Sequence, residues 1–474
     1  MKKWYAFVLL VFLAACAENK NISNQLQGQK SLLAPNEIRI IDEKGNPVTG
    51  ATVQVGYTAE AFPNNVLTTD QNGIMTIPNE WKNEEPVTII ADNFIRATYL
   101  HQKPEANVFV VHTYREQPTQ ELKGITTGFG ELKRDDKIDF GLVLPLMSKT
   151  TLFQFDMGLF ISPDSDIIEI MGRKMSVPSN VSLPDQTERY LFFNIRFNKP
   201  QYRTYFHEAG EYELIAAHGQ FPFKKMIGEF ESGKGFTEVV NLFDFLEGGL
   251  HLATAPGSSD LVINDFKLQG KQTVKAPQIP EGFSYFASSL QTQNNLMYPA
   301  DVKRLLSNES ISLKMSPLST ENMLLAAVAK EEKLEGGATR LNPSMSIAIL
   351  PFVSGVTQTY LPLVAEPKVN GENIVVTAPK ADSFNQLGTY LSLQDVKIER
   401  LETEYVERVT KKWEIYSANW ENEIRLPKVG SDVEIINNLR WESIFLATKA
   451  SSVIATGPEM FDVAEYITRN ATNL

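Results

Sequence analysis

Cysteine is nearly absent from this chain: Cys16 is the only one in 474 residues. A lone thiol cannot close an intrachain disulfide, and it cannot build a multi-cysteine zinc site. Histidine is scarce as well, with five residues, His101, His112, His207, His218 and His251. None stands in an HExxH or in an i,i+4 pair, so no helix face presents two imidazoles to a metal. Phosphate-cradling loops are missing. There is no GxGxxG and no Walker loop, and Glu231-Ser232-Gly233-Lys234-Gly235 lacks the leading glycine spacing. No Gly-x-Ser-x-Gly elbow occurs, and Pro256-Gly257-Ser258-Ser259-Asp260 reads as a turn. A run long enough to cross a bilayer is lacking too. The apolar stretch from Trp4 to Ala17 has about 14 residues, against the roughly 20 that a transmembrane helix needs.

What is present fits a folded, acidic protein. Hydrophobic residues make up 43% and charged residues 22%, the balance of a globular chain and not of a disordered one. The formal net charge is −12, and no Lys/Arg cluster interrupts it, so nucleic acid is an unsuitable partner. The length allows about three domains of ordinary size.

The N-terminus orders its residues as a secretory signal does. Lys2 and Lys3 precede the short apolar run, which ends in Leu13-Ala14-Ala15-Cys16. This ending resembles a bacterial lipobox. The resemblance implies cleavage before Cys16, acylation of that cysteine and attachment to a lipid bilayer. Residues 1–15 would then be a signal peptide, and loss of Lys2 and Lys3 would take the charge from −12 to about −14. Several acyl chains on one residue anchor stably, whereas one alone does not. Residue 17 is Ala and not Asp, which in the enterobacterial sorting scheme favours the outer membrane. Residues 16–35, rich in Asn and Gln, read as a flexible tether spanning on the order of 25 Å.

Beyond the tether the expected class is mainly β: tandem β-sandwich domains with a few short helices in the C-terminal part. The first unit covers residues 36–114. Short alternating runs such as Ile38-Arg39-Ile40-Ile41 are split by turn chemistry, giving about six or seven strands. Asp42-x-x-Gly45-x-Pro47-Val48-x-Gly50-Ala51-x-Val53, followed by Thr69-Asp70-x-x-Gly73, resembles a carboxypeptidase-regulatory-like (transthyretin-like) domain. Where that family usually has a small-Gly-aromatic turn, this chain has Ala91-Asp92-Asn93-Phe94, and Asn also tolerates the left-handed conformation. The resemblance implies a β-sandwich whose matching residues serve turns and core, with no activity of their own. A second β-rich domain is expected over residues 120–270. Residues 236–245 there suit either a short helix or a core strand. A third, over residues 282–474, is expected to open with helices at Pro299–Leu306 and Thr320–Lys333 and then return to strands.

Few side chains suggest chemistry. The best cluster is His207-Glu208-x-x-Glu211-x-Glu213 with His218 beyond it, and His207, Glu211 and His218 are weak candidates for a metal. Asp135, Asp136 and Asp139, and Asp164 with Asp166, could offer oxygen ligands to Ca²⁺ but lack the EF-hand spacing. Tyr202, Tyr205 and Phe206, and Trp413, Tyr416 and Trp420, could line a groove, although sandwich cores use such residues routinely. No catalytic residue and no cofactor is expected. The functional expectation is a non-enzymatic envelope lipoprotein that displays β-sandwich modules for binding or scaffolding, with an envelope protein or glycan as partner. The alternative is an anchored hydrolase of envelope glycan or peptide that uses carboxylates of the middle domain.

Overall fold

The computed structural model describes residues 29–58, 67–115, 118–132, 136–153, 165–170, 173–190, 192–232, 239–318, 321–333, 339–400, 405–429, 439–450 and 455–472. Cys16, the signal-like segment and most of the tether lie outside them, as does Asp164 of the acidic loops. Strands account for 57% of the chain and helices for 6%, so the expected mainly β class holds.

The first unit contains β1 (Glu37–Asp42), β2 (Thr52–Val55), β3 (Leu67–Thr68), β4 (Ile74–Thr76), β5 (Glu85–Ile90), β6 (Arg96–Gln102) and β7 (Asn107–Val111). Local chemistry sets its turns. Asp42 Oδ1 accepts from the N–H groups of Lys44 (2.9 Å) and Asn46 (2.7 Å). Asp70 Oδ1 does the same for Asn72 (2.9 Å) and Ile74 (2.8 Å). Each is an aspartate holding its own backbone in a turn. Gly73 needs its missing side chain: it has φ +70°, and a Cβ there would sit 2.4 Å from the Ile40 carbonyl oxygen. Asn93, at φ 67°, takes the left-handed position expected of it. The strands form two layers, β4-β1-β7 and β6-β5-β2-β3. Ile38, Ile40, Val53, Trp81, Val87 and Ile89 are buried between them.

In the middle unit β8 (Gln120–Thr127) and β9 (Lys137–Pro145) lead into helix α1 (Lys149–Phe153). Two hairpins follow, β10 (Ser165–Ile170) with β11 (Arg173–Pro178), and β12 (Val181–Tyr190) with β13 (Phe193–Lys199). Then come β14 (Gln201–Phe206), the long β15 (Gly210–Pro222), helix α2 (Phe223–Glu231) and β16 (Asp244–Ala255). Three short strands complete it: β17 (Gly257–Ser258), β18 (Leu261–Val262) and β19 (Phe266–Lys267). One sheet runs β13-β12-β9-β15-β16-β19, and a second has β14-β8-β17 with β18 also on β8. Of the ambiguous apolar run, residues 236–238 lie outside the described residues, residues 240–242 form a single 3-10 turn and residues 244–245 begin β16.

The rest of the chain contributes β20 (Gln269–Lys275), β21 (Ser284–Gln293), β22 (Leu296–Leu305), β23 (Ser310–Met315) and β24 (Asn322–Ala329). After the small hairpin β25 (Glu331–Lys333) and β26 (Thr339–Leu341) comes β27 (Met345–Pro351). A short three-stranded sheet is made by β28 (Lys368–Asn370), β29 (Asn373–Val375) and β32 (Glu423–Arg425). The long strands β30 (Asn385–Arg400), β31 (Tyr405–Ser417), β33 (Arg440–Thr448) and β34 (Tyr466–Ala471) close the chain, with helix α3 (Met460–Val463) before the last.

Both helices expected at the start of this unit are strands. Pro299–Leu306 falls largely in β22, an edge strand of its sheet, with Pro299 beside a register shift opposite Leu290. Edges and irregularities are where a strand tolerates proline. Leu324 to Ala329 is buried throughout and lies between β21 and β27. A run without a polar side suits a strand covered on both faces, and apolar periodicity alone cannot separate that from a buried helix. Among the described residues the helices α1, α2 and α3 lie at turns and strand ends.

A single twelve-stranded sheet, β22-β21-β24-β27-β34-β33-β30-β31-β6-β5-β2-β3, joins the last unit to the first. The junction is a parallel pairing of β6 with β31, from Arg96 opposite Trp413 to Tyr99 opposite Tyr416. Trp413 Nε1 donates to Thr98 Oγ1 (2.9 Å), and the Arg96 guanidinium lies 4.9 Å from the centre of the Trp413 ring. Beside it the Gln54 amide donates to the Lys428 carbonyl (3.0 Å) and the Lys428 N–H to the Tyr57 carbonyl (2.7 Å).

Candidate functional site

The candidate metal residues are set apart by the strand that carries them. Glu211 and His218 lie seven positions apart on β15, about 24 Å along an extended strand. An odd separation also puts them on opposite faces. His207 precedes the strand beside Arg115, and burial together with that guanidinium pushes its pKa down to about 4. Glu208 is bound to Arg115 (3.1 Å) and Lys44, which ties the middle unit to the first. Among the described residues no three His, Cys, Asp or Glu side chains are placed to share a metal ion.

His218 has a different environment from the one its spacing suggests. It is buried between β9 and β16, with Nε2 2.7 Å from Asp139 Oδ1 and Nδ1 2.8 Å from Glu247 Oε1. Gln220 Nε2 also donates to Asp139 Oδ1 (2.8 Å), and the Phe129 ring meets the imidazole edge-on at 5.3 Å. Burial lowers the His218 pKa, but the hydrogen bonds and charges of the two carboxylates outweigh it and the net shift is upward. With an acceptor on each nitrogen, both must donate, so the ring is held as imidazolium. A general base needs a lone pair directed at a substrate, and this ring has none to offer.

A second buried cluster sits at the β6–β31 junction. Glu414, on β31, accepts from Tyr390 (2.8 Å) and Lys411 (3.2 Å) at Oε1, and from Tyr416 (3.0 Å) at Oε2. His112 Nδ1 lies 2.6 Å from Oε2. Burial raises the Glu414 pKa, but the charges of His112 and Lys411 and the hydrogen bonds reverse this and hold it far below the carboxylate range. Burial lowers the His112 pKa, and its pairing with Glu414 more than restores it. Tyr99 stacks on Tyr416 with ring centres 5.1 Å apart, and its hydroxyl donates to the Val110 carbonyl (2.5 Å). Nothing in the sequence singled out Glu414, which looks like one more polar position in a strand. Its partners come from β7's end, β30 and β31, regions distant in the chain.

The acidic loops are likewise paired with cations of the chain. Asp136 meets Lys224. Asp166 meets Arg203 (2.5 Å) and Lys199 (2.9 Å), and the Lys199 ammonium donates also to the carbonyls of Ser179 (3.1 Å), Gln201 (3.0 Å) and Val181. Asp135 lies outside the described residues. Of the aromatic candidates, Tyr202, Phe206, Trp413 and Tyr416 are core residues, and Trp420 packs partly buried with its Nε1 on the Leu446 carbonyl (2.9 Å).

No family model matches the chain, and no curated relative does. The chain is a mainly β protein. It is similar to the TIE protein of Bacillus anthracis at 9% identity and TM-score 0.15, over 64% of this chain and 46% of that one. It thus spans under half the length of that protein. The major pilin subunit BcpA of Bacillus cereus matches at 9% identity and TM-score 0.14, over 68% of this chain and 95% of its own. A DUF3823 family protein from Bacteroides uniformis matches at 9% identity and TM-score 0.11, over 48% of this chain and 96% of its own. Likeness at this level carries no argument about fold or activity.

Proposed function

We propose that this protein is a lipid-anchored envelope component whose β-sandwich units form a binding or scaffolding body and not a catalyst. The observation that carries the reading is the sheet that continues through β6 and β31. It joins the N-terminal unit, next to the anchor sequence, to the far C-terminal strands through backbone pairing. Enzymes concentrate perturbed groups in an open cleft. Among the described residues the polar clusters at His218 and Glu414 are closed ion pairs inside sheets. The hydrolase alternative would draw on middle-unit carboxylates, yet Asp139 and Glu247 are both engaged by His218. Attachment rests on Leu13-Ala14-Ala15-Cys16, and the outer membrane on Ala17.

Two measurements test this. Cys16→Ser should abolish incorporation of labelled palmitate and release the chain from membranes or leave the precursor uncut. A processed Cys16→Ser protein that still sediments with membranes would remove the anchor. Crosslinking of intact membranes followed by purification should recover an envelope protein or glycan; turnover of peptidoglycan fragments by the purified chain would instead restore the hydrolase.

A further inference from the structure

The middle unit carries an arm that ends in exposed aromatic rings. Strand β12 joins β9 only at Val181 and Ser182, near its start. Beyond that, residues 186–190 pair only with β13. The arm is braced at its root. The Gln186 side-chain amide accepts from the Asp139 N–H (2.9 Å) and donates to its carbonyl (2.7 Å), standing in for a rung of the ladder. Phe197 packs edge-on against Phe223 of α2 at 5.0 Å, and Arg196 grips Asp185 through two hydrogen bonds of 2.6 Å. From the Gln186–Phe197 pair the hairpin runs four more rungs to Tyr190–Phe193, about 14 Å, and since Glu188 and Ile195 are still buried only the last two rungs stand clear.

At that end Phe192 is 90% exposed and Phe193 55%, the only exposed phenylalanines among the described residues. Leu191, between Tyr190 and Phe192, lies outside them. A two-residue hairpin connection favours Gly, Asn or Asp, because these accept the positive φ that its tight turns demand. Phe192 is none of these, so turn chemistry does not account for the ring found at the tip. Large apolar side chains left almost wholly in water call for an occupant.

Its shape and surroundings decide which. Two phenylalanines offer about 300–500 Å², short of the roughly 800 Å² per partner that a stable protein dimer buries. A second copy is therefore a poor fit. A bilayer needs no complementary pocket, and an exposed aromatic ring enters the headgroup–acyl boundary directly. In the anchored reading the body stays near a bilayer, since between Cys16 and Gln29 the chain can reach at most about 45 Å. We infer that the Phe192–Phe193 tip of the β12–β13 hairpin is a second membrane contact, inserting into the surface of the bilayer that holds the chain. The inference rests on the anchored reading for its geometry. With a net charge of about −14 once Lys2 and Lys3 are lost, the expected lipid is zwitterionic, since anionic headgroups would repel the body.

The test replaces the natural anchor so that the two ideas stand or fall separately. The chain from Ala17 onward, with an N-terminal polyhistidine tag in place of Cys16, is held on phosphatidylcholine vesicles containing a nickel-chelating lipid. It has no cysteine, so Phe192→Cys introduces a single site for an environment-sensitive dye, and Val369→Cys provides an exposed control. Nitroxides on the upper acyl chain should quench the dye at residue 192 at least about threefold more strongly than at residue 369. The Phe193→Asp change should abolish that difference while leaving tag-mediated binding intact. Equal quenching at the two sites overturns the inference. So does a blue shift at residue 192 that rises with protein concentration without vesicles, which would identify a contact between copies. The mass of the natural N-terminus reports acylation of Cys16 independently.

Discussion

Replacing His218 by leucine should destabilise the middle unit more than any surface change. The substitution removes the donor between Asp139 and Glu247 without opening a large void. Asp139 would stay buried in β9 with Gln220 as its remaining side-chain donor. Removing one member of a buried ion pair costs about 3–5 kcal/mol, most of it the penalty of the charge left behind. Glu247 is nearer solvent, with 16% of its side chain exposed, so its share should be smaller. A value near 3 kcal/mol, roughly a hundredfold in the local unfolding constant, is expected. Hydrogen exchange read by mass spectrometry on peptides covering β9 and β15 isolates this sheet from the others. The pH dependence supplies a second arm. The folded pKa of His218 lies above its unfolded value, so its contribution is complete below about 6.5 and is lost as pH rises through the folded pKa. The wild-type sheet should lose protection across that window and the His218→Leu sheet should not. A loss below about 1 kcal/mol, or an Asp139→Asn/His218→Leu cycle without coupling, would show that the imidazolium is not the keystone argued for.

Two further outcomes follow from the same chemistry. Glu414→Gln keeps the shape but removes the charge that faces His112 and Lys411, and should cost about 2–4 kcal/mol at neutral pH, read by urea unfolding of the full chain. Because the folded pKa of Glu414 is depressed, its contribution is present above the unfolded carboxylate value and fades as pH falls toward the folded one, so the variant should lose this part of the acid sensitivity. Gly73→Val should cost about 2–4 kcal/mol through its positive φ and the collision with Ile40. Gly130→Val, at φ +69° with nothing within 4 Å of the added Cβ, should show only the conformational part, about 1 kcal/mol, in parallel thermal melts.

Much of the architecture was legible because turns announce themselves locally. Asp42, Asp70 and Gly73 act within a few residues of their own positions, and the strands between them alternate or are wholly apolar. The stretches Pro299–Leu306 and Thr320–Lys333 read as helices for the opposite reason. Leucine and alanine there favour a helix in isolation, and only pairing with β21 and β27 decides for a strand. The β6–β31 junction was invisible, because it joins residues more than 300 positions apart in sequence and parallel pairing leaves no turn signature. The cluster around His218 was half visible. The histidine could be named, but Asp139 and Glu247 reach it from two other strands, so its partners could not be counted from spacing along β15.

Parallel pairing has a mechanical side. Tension applied at the N-terminus enters the fold at β1, which lies parallel to β7 with five residue pairs in register from Ile38–Asn107 to Asp42–Val111. A pull along that strand loads these rungs in shear, all at once, instead of opening them one after another as it would a hairpin peeled from its end. The next unit boundary, β6 on β31, has the same geometry. A body held by its first residues in a moving envelope would thus meet force with its strands aligned to resist it.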